Sequence, residues 1–150
     1  MKLNQVMTRK VEFVAPVDSV RQAAEKMRSF DVGPMPVCEA GQVLGMLTDR
    51  DIAVRVVATG RNPETTLVKD VMSREVSFCD QDDDVAVAAK LMADRQLRRL
   101  VVLDANHRLA GIVSVGDLAM SADGAKLMGP LMEDVSRPAA QNAPKPGHAR

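Results

Sequence analysis

Two seven-residue stretches hold the residues best suited to chemistry, GMLTDRD at 45–51 and GIVSVGD at 111–117. Each reads Gly, two apolar residues, a hydroxyl residue, two variable residues and Asp. The hydroxyl–acid pairs are Thr48 with Asp51 and Ser114 with Asp117. One reading is helix punctuation: a hydroxyl caps a helix and an acid three residues on reaches back, a box whose cap is worth on the order of 1 kcal/mol. The other is a ligand grip. A helix start offers free N–H groups to an anion, and a hydroxyl there can help hold a phosphate oxygen. A short carboxylate can accept two hydrogen bonds from the vicinal hydroxyls of a ribose, as an acid does in dinucleotide folds. Both copies use Asp rather than the Glu or Gln usual in a capping box, and one residue can cap and bind in different states. Gly45 and Gly111 sharpen the question, because glycine inside a strand weakens it and marks close approach of a ligand or another backbone.

The pair of motifs belongs to a longer repeat. QVMTRKVEFVAPVDSVRQAAEKM (5–27) lies over DVMSREVSFCDQDDDVAVAAKLM (70–92) without a gap. Val6-Met7 falls on Val71-Met72, Phe13 on Phe78, Asp18 on Asp83, and Met27 on Met92. One extra residue in the turn near Asn106 then brings Gly45 onto Gly111, Thr48 onto Ser114 and Asp51 onto Asp117. Two copies fall short of a solenoid, which needs at least three, and are expected to pack on each other about a pseudo-two-fold axis.

Each copy predicts strand, helix, strand, strand, helix, an α/β (α+β) arrangement of two β-α-β-β-α repeats. KVEFV and EVSFC alternate as half-buried strands do. Val20, Ala23, Ala24 and Met27, like Val85, Ala88, Ala89 and Met92, recur on one helical face. Asp18 or Ser19, and the Asp82–Asp84 run, supply caps and first-turn charge, so the acidic run needs no functional explanation. MPVC and LVVL, then VLGML and LAGIV, are the inner strands, and a second helix starts at Thr48 or Ser114. ATGRNPETTLVKD (58–70), with Gly60 and Pro63, reads as a connector. MSADGAKLMGPLMEDVS (120–136) is helix-like but expected to break near Gly129-Pro130. The expected organisation is residues 1–69, a first repeat with its linker, 70–136, a second repeat with a C-terminal helix, and 137–150, a disordered tail rich in Pro, Ala and small polar residues.

Composition narrows the function. The chain has 150 residues, with Lys plus Arg and Asp plus Glu both 20 and a formal net charge of zero. Nucleic-acid proteins dominated by backbone contacts show a basic excess. With no Trp or Tyr and three Phe, stacking of single-stranded bases has little to work with. No apolar run approaches the ~18 residues of a membrane span and the N-terminus lacks a signal-peptide core, so a cytoplasmic location away from membranes is expected. Cys38 and Cys79 read as buried free thiols. His107 and His148 lack neighbours at ligand spacing, so no metal site is expected. Neither a Walker loop nor a dinucleotide fingerprint is present, and no nucleophile, base and metal constellation emerges. An enzyme is not expected.

Taken together, VMT and VMS, VRQAAEKM and VAVAAKLM, GPMPVCE and RRLVVLD, and the two Gly-h-h-[ST]-x-x-Asp segments resemble the cystathionine-β-synthase (CBS) domain family, whose tandem pairs are often called Bateman modules. The resemblance covers roughly positions 3–120. It implies two repeats packed sheet to sheet and clefts that commonly take AMP, ADP, ATP or S-adenosylmethionine as regulatory ligands. Carried over, Thr48 and Asp51 would serve one cleft and Ser114 and Asp117 the other, with the motif hydroxyl on phosphate or ribose and the Asp on the ribose hydroxyls. The starts of the first strands, Val11 and Val76, would lie against the base, and Arg98 and Arg99 would face phosphate. Gly45 and Gly111 complete the motifs.

The copies depart from one another. Gly33-Pro34 stands where the second copy has Arg98-Arg99, and Asp49-Arg50 where it has Val115-Gly116. An acid beside a phosphate is repulsive unless Arg50 offsets it. The second motif is therefore expected to be the phosphate-tolerant one, and the first to prefer less charged, nucleoside-like ligands or stay empty. Family members usually regulate an attached or separate protein; here a ligand-sensing module acting on an unidentified client in trans, as a homodimer through the helical surfaces of 51–58 and 117–128, is expected. The alternatives are a protein–protein scaffold whose motifs serve only as caps, and redox sensing through Cys38 and Cys79.

Overall fold

The computed structural model describes residues 1–135; Ser136, His148 and the whole tail at 137–150 lie outside the described residues. The chain forms two compact units. One joins Met1–Val11 to the described residues from Ser77 onward, and the other is Glu12–Val76. The segments leading each repeat are thus exchanged. The Val-Met-Thr arm at 6–8 folds with the helices and strands of the second repeat, and the Val-Met-Ser arm at 71–73 with those of the first.

In the Glu12–Val76 unit, α1 (Val20–Phe30) begins with a reciprocal box: Ser19 Oγ accepts from Gln22 N–H at 3.1 Å, and Gln22 Oε1 from Ser19 N–H at 2.8 Å. Val20, Ala23 and Met27 are buried, whereas Ala24 is exposed, so the apolar stripe is narrower than its sequence. β1 (Met35–Glu39) and β2 (Gln42–Leu47) form an antiparallel hairpin. Its turn, Ala40-Gly41, has positive φ at both residues, as a two-residue type I′ turn requires. α2 (Asp49–Ile52) follows and continues as a π-turn over Ala53–Val57, and α3 (Val68–Val71) precedes the arm. The expected strand over KVEFV shrinks to a parallel bridge from Val14 to Val37, with Val14 buried and Phe13 exposed.

The other unit opens with a 3₁₀ turn, Leu3–Gln5. β3 (Phe78–Asp80) runs parallel to β4 (Arg99–Leu103), which pairs antiparallel with β5 (Leu109–Ser114). α4 (Val85–Arg95) is capped by Asp84, whose Oδ1 accepts from Ala86 N–H at 3.0 Å. Asp83 Oδ2 accepts from Asp80 N–H, as Asp18 Oδ2 accepts from Ala15 N–H in the first unit. Asp83 and Asp84 are accordingly spent on turn and cap. α5 (Val115–Ala119) and α6 (Gly124–Val135) finish the unit.

The break expected near Gly129-Pro130 does not occur, because α6 runs through Pro130. An interior proline costs about 3 kcal/mol. Against it stand the burial of Leu131 and the packing of Leu127, Met128 and Met132 on the same core, at ~1.5–3 kcal/mol for each fully buried side chain. Gly124 makes the turn into α6 possible, since a Cβ there would overlap the Ala119 carbonyl.

Candidate functional site

Each motif sits where a strand hands over to a helix, and in both the capping box is fully formed. Thr48 N–H donates to Asp51 Oδ2 at 2.9 Å, and Asp51 N–H to Thr48 Oγ1 at 3.0 Å. Ser114 N–H donates to Asp117 Oδ2 at 2.8 Å, and Asp117 N–H to Ser114 Oγ at 3.1 Å. The two boxes match within 0.1 Å in each bond. Among the described residues neither Asp Oδ1 accepts a further hydrogen bond. Asp51 is buried, 8% exposed, and Asp117 half-buried.

The glycines answer to the backbone. A Cβ on Gly45 would lie 2.6 Å from the Ser73 carbonyl oxygen and 2.8 Å from Met72 Sδ; on Gly111 it would lie 2.6 Å from the Thr8 carbonyl oxygen and 2.8 Å from Met7 Sδ. The exchanged arms are what approach so closely. Met46 and Ser73 exchange two backbone bonds of 2.8 Å, and Thr8 and Ile112 exchange bonds of 2.8 and 3.0 Å. A register shift precedes each glycine. Val37 faces Gly45 but Cys38 faces Val43, and Val102 faces Gly111 but Leu103 faces Leu109. Leu44 and Ala110 are the extra residues of these bulges, which bend the strand toward its helix. Spacing alone gives Val-Met-Thr and Val-Met-Ser no such role. The signal was there, in two Met-hydroxyl pairs at the same register of the repeat.

Around the boxes the units differ. Arg99 pairs directly with Ser114 across β4 and β5, and the Arg98 carbonyl accepts from Val115 N–H at 2.9 Å; both arginines are exposed. The Glu12–Val76 unit has no arginine at the matching positions. There the Asp49 carboxylate accepts from Arg50 N–H at 3.0 Å and lies over Gly33, where a Cβ would meet its Oδ1 at 3.2 Å. Val76 is half-buried in the unit of Thr48 and Asp51, while Val11 is half-buried in the unit of Arg98, Arg99, Ser114 and Asp117.

The CBS domain family matches the chain twice, over residues 3–58 and 68–123. The chain belongs to the CBS domain family. Both CBS matches begin at the arms, which the fold shows to be integral to each unit. The CBS domain-containing protein YhcV of Bacillus subtilis (strain 168) is 40% identical over 134 residues, 89% of this chain and 94% of that protein. The crystal structure of Hypoxic Response Protein I with two coordinated zinc ions shares 31% identity at a TM-score of 0.72, covering 79% of this chain and 97% of that one. A CBS domain protein from Pyrobaculum aerophilum complexed with AMP has a TM-score of 0.75, covering 85% of this chain and 98% of that one; at 20% identity the likeness is one of fold.

Other candidate groups are accounted for by packing. Among the described residues no three His, Cys, Asp or Glu side chains gather as a metal site. Cys38 and Cys79 are free and buried. Burial pushes both thiols up to about 11, and at Cys79 Asp83 and Asp80 add to it. His107 takes a left-handed turn position and meets Phe78 edge-on, ring centroids 5.8 Å apart. No helix among the described residues is long and apolar enough to cross a membrane.

Proposed function

We propose that this CBS pair is a non-catalytic sensor of adenosine-type ligands that regulates a partner protein in trans. The observation that carries the reading is the repeated carboxylate. Asp51 and Asp117 each spend one oxygen on the capping box, which leaves the other to accept from ribose hydroxyls, as the acid of dinucleotide folds does. Support comes also from the fold, which holds AMP in the Pyrobaculum aerophilum protein. Ser114 and Asp117, with Arg99 across the strand pair, are the phosphate-bearing site of the two; Thr48 and Asp51 form the site for less charged ligands. Val11 and Val76 are proposed base contacts and Arg98 a further phosphate contact.

A ligand changes what a partner meets only to the extent that it binds one conformation better than another. The proposed assembly is a homodimer. Val54 and Val57 on the π-turn are 50% and 71% exposed and Met120, after α5, 88% exposed, an apolar surface for a second copy. Redox sensing is not favoured, since thiols raised to about 11 are protonated and unreactive near neutral pH.

The test is calorimetry with AMP, ADP, ATP and S-adenosylmethionine, beside native and denatured mass spectra of the purified protein. Binding of at least one, lost on Asp117→Ala or Asp51→Ala, supports the sensor. No heat from any of them, with a stable dimer in the native spectrum, points to a scaffold whose motifs only cap helices.

A further inference from the structure

We infer that Asp49 sets the ligand class of the Thr48–Asp51 site, admitting adenosine derivatives with a neutral or cationic 5′ substituent and rejecting 5′-phosphates. The inference rests on the adenosine reading above and adds a selecting residue to it. Asp49 follows Thr48 directly, so its charge lies in the first turn of α2, next in the chain to the hydroxyl that would meet the 5′ side of a ribose held by Asp51. One backbone hydrogen bond holds the Asp49 carboxylate and one glycine leaves it room. Arg50 N–H holds Oδ1 at 3.0 Å, which fills with an internal anion the donor that an external anion would use. Gly33 supplies the space: both carboxylate oxygens lie 3.2–3.3 Å from where a Cβ at position 33 would stand.

The two residues form a matched pair. The second repeat has Arg98 in place of Gly33 and Val115 in place of Asp49, so a basic side chain and an apolar one replace an empty position and an acid. Arg50 is the cation next in the chain to Asp49, and what decides whether it offsets the acid is whether the two pair. Among the described residues neither it nor Arg50 takes part in an ion pair, and both are exposed. A phosphate would meet like charge in the first turn. A sulfonium at the same position, as in S-adenosylmethionine, would meet opposite charge.

The test uses the full chain carrying Asp117→Ala, so that heat reports the Thr48–Asp51 site, titrated with adenosine, AMP and S-adenosylmethionine. AMP is expected at least about tenfold weaker than adenosine, ~1.4 kcal/mol. Adding Asp49→Asn, which keeps an acceptor for Arg50 N–H and removes the charge, is expected to close most of that gap, leave adenosine unchanged and weaken S-adenosylmethionine. Asp49→Val, the second repeat's residue type, is expected to do the same. An AMP-to-adenosine ratio untouched by both substitutions, with adenosine still bound, overturns the role of Asp49 and leaves the adenosine reading standing. Adenosine binding to wild type but not to the Asp117→Ala chain also overturns it. Adenosine binding to neither overturns the adenosine reading itself.

Discussion

The Thr48–Asp51 and Ser114–Asp117 turns share one backbone device and differ in what surrounds it. Each closes the same reciprocal box after the same bulge and the same glycine. Beside one stand Asp49 and Gly33; beside the other, Arg98, Arg99 and Val115. Repetition of the device shows what the fold requires, and divergence around it shows where ligand choice can lie. A glycine, a hydroxyl and an aspartate recur because the arm, the strand and the helix meet there in both units. Among the described residues Asp49 and Arg99 take part in no ion pair, so the charge at those two places can differ between the units.

The largest expected effect tests the shared half of that comparison. Gly45→Ala and Gly111→Ala each place a methyl 2.6 Å from a carbonyl oxygen of the exchanged arm, and that contact is backbone. Forcing extra volume into a packed site costs about 1–3 kcal/mol, so urea unfolding midpoints should fall by similar amounts for both. A loss at one glycine and none at the other would break the equivalence of the two arms.

Asp117→Ala and Asp51→Ala come next. Each removes the returning half of a capping box and leaves the Thr48 or Ser114 N–H without its acceptor, so each should lower stability by about 1 kcal/mol, read from the same midpoints. Equal stability losses with unequal effects on AMP would separate the shared cap from the divergent site. Arg99→Gln should then weaken AMP several-fold while leaving adenosine unchanged, with the AMP difference shrinking as salt is added. An equal loss for both ligands would remove Arg99 from the phosphate contact.

The smallest effect concerns the thiols. With both raised from 9.0 to about 11 in the folded chain, the native state holds their protons more tightly than the unfolded state. Their contribution to stability is complete below pH ~9 and is lost as pH rises through about 11. Native protein at pH 8 should react with a thiol reagent far more slowly than protein in urea, and equal rates would place a thiol at the surface.

Much of this comparison was legible in the sequence because it is written as a repeat. The register of Thr48 on Ser114, the buried face of α4, most of that of α1, and a cap within the Asp82–Asp84 run all follow from spacing and side-chain chemistry. What the sequence hid depends on contacts between distant segments. The glycines could mark a ligand or a backbone, and only the arms, folded with the other repeat, decide for the backbone. KVEFV alternates like a strand, yet Phe13 faces out and a single bridge at Val14 remains, because alternation gives a period and not a phase. Pro130 looked like a break until the burial of Leu131 outweighed one lost hydrogen bond. Asp49 read as a nearby charge; its seat over Gly33 was invisible because the two lie sixteen residues apart.

The central claim is that one shared turn supports two unequal sites, with the phosphate-bearing one at Ser114 and Asp117. Titration of AMP into wild type, Asp51→Ala and Asp117→Ala by calorimetry tests it directly. The account predicts that Asp117→Ala abolishes AMP binding and Asp51→Ala leaves it nearly intact. Binding abolished by Asp51→Ala and untouched by Asp117→Ala would contradict it.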